Sequence, residues 1–598
     1  MARTAIFAAL ALATLLLSCS VTACGLAADH PNVLLVMTDD QGYGDVRSHG
    51  NPAIDTPVMD ALARSGARFE RFYVSPVCAP TRASLLTGRY NLRTGTHGVT
   101  RGRENMRSEE VTIAEILKAA GYATGIFGKW HNGRHYPMHP NGQGFDEFVG
   151  FCAGHWNNYF STGLEHNGKS IKTEGYIADV LTDRAIGFIE KHKAGPFFCY
   201  VPLNTPHSPW QVPDRYWDKY KKRGLPDKTA CAYAMCENID ENLGRLLAKL
   251  DELHLADNTI VLFLTDNGPN SDRYNGGMKG RKGSVNEGGV RVPLFVRWPG
   301  KIKAGTKVTQ IAQHIDLLPT LVELCGVPML KHKRLPLPLD GKSLAPLLLG
   351  KSVEWPDRML FTFRSRGGRP SSSLGAVRTQ RHRAVRGGAK RPWELYDMVA
   401  DPGQKKNIAR QYPQLTARLG KAFEKSFREV TAGGFKPLPI PIGHAERPRV
   451  VLPGHEAFLQ PAPGQGISYV GRSGWANDWV THWTSTESFP RWQVDVVRPG
   501  RYEITLMYVC PQSQLGSTIR ATIAGRSLTG KITTAHDPKP LPSPDRIVRG
   551  EVYEKLWAPL KLGIVELPKG RTTLDVKALS IAAERVMDLK EVHVRRVE

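Results

Sequence analysis

Short apolar runs that end in acids recur in the first half of the chain. Asn32-Val33-Leu34-Leu35-Val36-Met37-Thr38 runs into Asp39-Asp40, and Thr259-Ile260-Val261-Leu262-Phe263-Leu264-Thr265 runs into Asp266-Asn267-Gly268. Pro196 to Leu203 is a third such run. Unbroken β-rich stretches of this length predict strands buried on both faces of a parallel sheet. Between them the apolar spacing lengthens. Ile239, Leu243, Leu246, Leu247, Leu250 and Leu253 keep a helical period. Thr112 to Ala120 predicts another helix, stopped at Gly121. This alternation predicts an α/β domain over 29–355. A smaller α+β unit is expected over 356–435. There Glu394-Leu395-Tyr396-Asp397 leads to the turn Asp401-Pro402-Gly403, and Leu415, Leu419, Phe423 and Phe427 form a helical stripe. Pro437, Pro439 and Pro441 predict a stiff linker over 436–444. Beyond it the period falls to two. Trp492 to Val496 alternates, Pro499-Gly500 turns, and Tyr502, Ile504, Leu506 and Tyr508 alternate again, which predicts an antiparallel β-sandwich over 445–598.

The N-terminus does not belong to this pattern. Arg3 precedes an apolar run from Ala5 to Leu17, and small residues follow up to Ala28. This arrangement predicts a secretory signal peptide over 1–28, whose apolar run is too short for a typical spanning helix. The protein is therefore expected to be exported, periplasmic or extracellular, with no transmembrane segment. Val21-Thr22-Ala23-Cys24 also resembles a lipobox, so a lipid anchor at Cys24 is the alternative to ordinary cleavage. Of nine cysteines, seven lie beyond this region, with no CxxC pairing and no zinc-type spacing. Cys231 and Cys236 are close enough in sequence to bridge, although buried free thiols are expected there.

Composition narrows the partners. At 598 residues, 41% hydrophobic and 23% charged, the chain is a cored globular protein and not a disordered one. Its net charge of +24 calls for an anionic partner: nucleic acid, membrane or substrate. No nucleic-acid recognition module is present. The two acid-tipped strands offer a more specific site. In a parallel sheet, ligands gather at the strands' carboxyl ends. Asp39, Asp40, Asp266 and Asn267 would meet there, and three carboxylates in one place need a cation. An all-oxygen donor set suits Ca²⁺ or Mg²⁺ and not zinc. Each pair taken alone could instead cap a turn.

Val77-Cys78-Ala79-Pro80-Thr81-Arg82 adds a second feature. Pro80 suits the first position of a helix, which would put Cys78 at its N-terminus beside Arg82. A nucleophile there could attack an anionic ester, and a buried structural thiol is the alternative.

These residues carry a resemblance. Cys78-x-Pro80-x-Arg82 followed by Thr87-Gly88 resembles the signature of Cys-type, formylglycine-dependent sulfatases of the alkaline phosphatase superfamily, the arylsulfatases among them. Thr81 stands where Ser is commoner. Asp39 to Asp45, Gly128-Lys129-Trp130-His131, Thr205-Pro206-His207-Ser208-Pro209, Asp266-Asn267-Gly268 and Lys282-Gly283 with Glu287 to Pro293 are similar to further motifs of that family, in order. Leu395-Tyr396-Asp397 with Asp401-Pro402 is like its late segment, so the resemblance covers roughly residues 30 to 430. It implies a large mixed sheet flanked by helices. It implies oxidation of Cys78 by a separate formylglycine-generating enzyme, and hydration of the aldehyde to a gem-diol. One hydroxyl would attack sulfur while a cation, Ca²⁺ in preference to Mg²⁺, is held by Asp39, Asp40, Asp266 and Asn267. Asp266 is also a candidate to draw the proton from that hydroxyl.

The resemblance extends to the helpers, and charge arguments agree with it. Arg82, Lys129 and Lys282 would neutralise the sulfate as charge develops. His207 would give the leaving alcohol its proton, and His131 would take one from the second hydroxyl to expel sulfate. Lys129, His207 and Lys282 would also bind substrate. Without the motifs, each helper reads as ordinary packing or a solvated face. The expected substrate is a sulfated carbohydrate or an aryl sulfate. A phosphodiesterase or phosphonate monoester hydrolase of the same superfamily is the nearest alternative, and a noncatalytic binder of anionic glycans is the alternative if Cys78 stays unmodified.

Two further features stand outside the motifs. Nine basic residues between Phe361 and Pro392, uninterrupted by an acid, could serve a sulfated polymer or merely protect a strand edge. Trp475, Trp479, Trp483 and Trp492 could stack on sugars or fill the sandwich core.

Overall fold

The computed structural model describes residues 30–329, 338–365, 368–471 and 474–597. The predicted signal peptide with Cys24, and Arg366 of the basic tract, lie outside the described residues.

Four of the strands that build the site are β1 (Asn32–Thr38), β2 (Ala123–Lys129), β3 (Phe197–Pro202) and β4 (Thr259–Thr265). They lie side by side in a ten-stranded sheet ordered Thr306–Val308, Ala67–Phe69, Leu294–Arg297, β4, β1, β3, β2, Glu147–Phe151, Gly163–His166, Lys169–Lys172. The middle five strands are parallel and antiparallel strands flank them, so the sheet is mixed as expected. Every residue of β1, β3 and β4 is buried, which is why they read as unbroken apolar runs. Alternate residues feed different cores. Val33, Leu35 and Met37 join one with Ile113–Ala119 and Leu317–Leu324, whereas Leu34 and Val36 join another with Ile177–Lys191 and Asp227–Glu252.

The following unit is a four-stranded antiparallel sheet, Leu360–Phe363 to Glu394–Asp397, covered by the helix Pro413–Thr431. Leu419 and Phe423 pack on Val377 and Leu395, while Leu415 and Phe427 lie partly buried around that cluster. The basic tract is partly consumed here. Arg378 and Arg383 are buried; Arg378 donates to the Tyr73 hydroxyl at 2.8 Å and Arg383 pairs with Glu287 at 3.4 Å. These two guanidiniums tie the small sheet to the strand Phe72–Tyr73 and the helical turn Glu287–Val290, and are not free for a polymer.

Past residue 440 two antiparallel sheets enclose a core that includes Trp483 and Trp492. Trp479 is buried as well, and Trp475 alone of the four is exposed. The proline-rich segment differs from expectation. Ile440–Ile442 is a strand paired in parallel with Phe489–Val496, so a third of the predicted linker is sheet edge. Proline is tolerated there because an edge strand needs few of its own N–H groups. All seven described cysteines are free and buried, Cys231 and Cys236 among them.

Candidate active site

The register of the sheet assembles the site. Thr38 of β1 lies opposite Thr265 of β4, so Asp39 and Asp266, one residue on, leave the sheet edge together. Asp40 takes a left-handed backbone, φ 70°, and donates its N–H to Asp266 Oδ1 at 3.2 Å. Aspartate tolerates that conformation better than most side chains. Asn267 follows, its amide nitrogen donating to Asp40 Oδ1 at 2.7 Å and to the Gly268 carbonyl at 3.0 Å.

The helix α1 (Cys78–Thr87) aims its first turn at this edge. Cys78 is itself the first helical residue and Pro80 the third, two places later than the sequence reading put it. Proline is accommodated equally well there, because none of the first N–H groups has a partner in the helix. Thr81 ties the turn to β4: its hydroxyl donates to the Asp266 carbonyl at 2.7 Å and accepts from the Ser75 N–H at 3.0 Å. The hydroxyl common to Thr and Ser is thus what the position requires. Arg82, fully buried, donates to Asp266 Oδ2 at 2.8 Å and to the Lys129 carbonyl at 2.7 Å, and lies 3.5 Å from Asp39.

Lys129 ends β2 and pairs with Asp39 Oδ2. Gly128, just before it, has φ 146°, and a side chain there would meet the Pro202 carbonyl at 2.1 Å. Lys282 pairs with Asp40 at 2.6 Å. His207 stands 3.6 Å from the same carboxylate through Nε2, while its Nδ1 donates to the Ser208 carbonyl at 2.7 Å. His131, with φ 60°, donates Nε2–H to the Val99 carbonyl at 2.8 Å. That bond fixes the tautomer and leaves Nδ1 a buried acceptor without a partner. All ten expected site residues therefore converge on one place.

The electrostatics set the chemistry of the site. Burial would raise Asp39, yet Lys129, His207, Arg82 and Lys282 outweigh it and hold the carboxyl well below its ordinary range. Asp266 is pushed up to about 7 by burial and by the Asp39 charge, against Arg82. Burial pushes the Cys78 thiol up, and Lys129 and Lys282 offset only part of that, so the plain thiol is not a ready nucleophile. Burial holds His131 well below the ordinary histidine range, with Lys129 adding to it, so it is a neutral base. Two oxygens are left over: Asp39 Oδ1 and Asn267 Oδ1 are buried and accept no hydrogen bond. Unpaired buried acceptors of this kind cost ~1–3 kcal/mol each. An Asp39, an Asp266 and the Cys78 sulfur atom lie within 4.8 Å of one another. The donor set fits a hard divalent cation.

A cavity of about 990 Å³ opens over Cys78, Asp40, His131, His207 and Lys282. Three residues that sequence reasoning missed also border it: His155, Arg549 and Glu551. His155 and His207 lie with ring centroids 5.8 Å apart. Gly154 is required beside it, since a Cβ there would come 2.2 Å from His131 Nε2. Glu551 Oε1 accepts from the Ser208 hydroxyl at 2.5 Å. No local motif marks these three, and Glu551 arrives from more than 300 residues away.

The mixed sheet, its helical layers and the acid-tipped carboxyl edge define an alkaline-phosphatase-like α/β hydrolase. Residues 31–327 match the sulfatase family model, and 281–429 match the model described as N-sulphoglucosamine sulphohydrolase, C-terminal. Arylsulfatase A of Homo sapiens is 33% identical over 64% of this chain and 85% of its own length. N-acetylgalactosamine-6-sulfatase of Canis lupus familiaris is 31% identical over 62% of this chain and 75% of its own. The crystal structure of Ps i-CgsB in complex with k-i-k-neocarrahexaose is similar, with a TM-score of 0.61 and 30% identity over 67% of this chain and 93% of that one. The chain belongs to the sulfatase family, and it is a sulfuric ester hydrolase. Among the described residues no helix is long and apolar enough to cross a membrane.

Proposed function

We propose that this sulfatase is exported and releases sulfate from sulfated glycans, using formylglycine made from Cys78 and a Ca²⁺ ion held by Asp39, Asp40, Asp266 and Asn267. The observation that carries this is the placing of Cys78 on the first turn of α1, beside Asp39 and Asp266 and bordering a cavity that His131, His207 and Lys282 also line. We assign residues 29–355 to the catalytic domain, 356–435 to its companion and 445–598 to the sandwich.

Formylglycine at residue 78, once hydrated, would supply the hydroxyls this chemistry needs, and a Ca²⁺ held by Asp39, Asp40, Asp266 and Asn267 would supply charge to polarise the ester. The rest falls to the chain's own residues. Lys282 borders the cavity and pairs with Asp40, so it is oriented before a sulfate arrives, while Arg82 and Lys129, buried behind it on Asp266 and Asp39, add fixed positive charge against the charge that develops. His131 presents a neutral Nδ1 acceptor, the state a base requires. His207 has Nδ1–H committed to Ser208, so only Nε2 can serve the leaving oxygen. Its imidazolium form is opposed by burial and by Lys282 and favoured by Asp40.

The neighbours support the glycan reading: one relative is named for a sugar sulfate, and one similar structure holds a carrageenan-type oligosaccharide. Peptide mass spectrometry of protein made with a formylglycine-generating enzyme should find residue 78 as an aldehyde. Aryl sulfate and sulfated oligosaccharides should then release sulfate. An intact thiol in active protein, or phosphate diesters and phosphonate monoesters cleaved far faster than any sulfate ester, would overturn the reading.

A further inference from the structure

One wall of the catalytic cavity comes from the β-sandwich. The segment between its strands Arg526–Lys531 and Ala558–Leu567 crosses to the carboxyl edge of the large sheet. It is fastened there along its length. The Arg546 N–H donates to the Trp210 carbonyl at 2.8 Å, and Gln211 Nε2 donates to Ser543 at 2.8 Å and Asp545 at 2.7 Å. Arg549 donates to the Asn157 carbonyl at 2.6 Å and to Asp545 at 2.8 Å, and both of its partners are more than half buried. A second piece of sandwich docks on the same loop. Thr100 donates to the Gly474 carbonyl at 2.8 Å and Asn477 to the His155 carbonyl at 3.0 Å, which leaves Trp475 half exposed on the cavity rim.

This fastening brings Glu551 into a cavity whose lining mixes the bases Lys228, Arg281, Lys282 and Arg549 with the acids Asp40, Asp227 and Asp272. Glu551 borders the same space as Cys78 and His207, bonded to Ser208 at 2.5 Å. A carboxylate here repels a sulfate, so it does not serve the scissile group. A carboxylate beside a ring does accept hydroxyls, and an exposed indole gives a face for the ring to lie on.

We propose that Glu551 and Trp475 form a subsite for the sugar that carries the scissile sulfate. Trp475 stacks on the ring, and Glu551 accepts from a free hydroxyl next to the sulfated position and excludes a second sulfate or carboxylate there. The sandwich is then part of the enzyme's specificity, and the preferred unit is a singly sulfated sugar. This rests on the sulfatase reading above.

The test uses the full chain, with 4-nitrophenyl sulfate as reference and galactose 6-sulfate, N-acetylglucosamine 6-sulfate, galactose 4-sulfate and galactose 4,6-disulfate as probes. The wild type should prefer its best monosulfated sugar to the disulfate by about tenfold or more in kcat/KM, since a like charge at close range costs that much. Glu551→Gln, which keeps the bond from Ser208, should narrow that preference about tenfold. Trp475→Ala should lower the ratio of sugar to aryl sulfate turnover about fivefold. An unchanged preference in Glu551→Gln, or equal losses on all substrates, overturns the subsite and makes Glu551 a mere brace for Ser208. Aryl sulfate cleaved while every monosulfated sugar is refused overturns the subsite and spares the sulfatase reading. No sulfate from any substrate overturns both.

Discussion

The two walls of the cavity are built by opposite means. On the sheet side, Asp39, Asp40, Asp266 and Asn267 are simply the residues that follow two apolar strands, and their meeting is settled by one register. On the sandwich side, Glu551 and Trp475 sit on irregular chain whose position depends on side-chain bonds to distant loops. The first wall inherits its precision from a packed core; the second must be pinned residue by residue. It follows that the chemistry should be hard to alter without destroying turnover, whereas the choice of substrate should be adjustable.

The largest effect should come from the sheet side. Cys78→Ala removes the proposed source of the nucleophile, and should cost about 10⁴-fold or more in kcat on aryl sulfate. Sulfate release measured with folded protein checks it; a variant within tenfold of wild type would dissolve the distinction drawn between the walls. Chelation is next. Removing the cation with a strong chelator should cost about 10³-fold and be reversed by Ca²⁺ more fully than by Mg²⁺. The fold should persist, because Arg82, Lys129 and Lys282 already balance three carboxylates. Circular dichroism taken with the activity separates the two. Lys282→Ala, which removes a charge aimed at the substrate and leaves the metal ligands in place, should cost about 10²-fold.

Arg549→Ala then probes the other wall. It cuts the bonds to Asn157 and Asp545 that hold the sandwich segment. The KM for a sulfated oligosaccharide should rise about tenfold, while kcat on aryl sulfate changes by less than about threefold. A loss in kcat as large as that of Lys282→Ala would mean that the two walls act as one.

The same contrast explains what was legible in the sequence. β1 and β4 were readable because burial on both faces leaves an unbroken apolar run, and their acids because carboxylates at such ends need a reason. The tryptophans were ambiguous because core filling and sugar stacking use the same side chain; only the burial of Trp479, Trp483 and Trp492 separates them from Trp475. The basic tract was ambiguous for a related reason: Arg378 and Arg383 are spent on Tyr73 and Glu287, far away in sequence. Ile440–Ile442 was hidden by prolines that suit a linker and an edge strand alike. Glu551 had no legible signal, because its meaning lies entirely in what the fold sets beside it.

The smallest effect tests how the two parts are joined. Glu104, of the catalytic part, is buried with Oε2 unpaired and faces the charge of Glu456 on the sandwich turn Gly454–Glu456. Burial, with Glu456 second, pushes Glu104 up to about 8. Glu456 stays ionised because His135, 3.3 Å away, together with His455 and Arg134 outweighs its own burial. Between about pH 4.3, the unfolded value, and about 8 the folded protein therefore holds a proton on Glu104 that the unfolded chain lacks. By linkage, stability must fall as pH climbs through that window. Glu104→Gln removes this slope. Its thermal midpoint should match that of the wild type near pH 4 and exceed it by about 2–4 °C at pH 8. Glu456→Gln should act the other way at neutral pH, since it removes a carboxylate whose lowered pKa contributes stability above about pH 4. If Glu104→Gln shifted the midpoint equally at every pH, the residue would be packing alone, and the joint between the two walls would carry no charge.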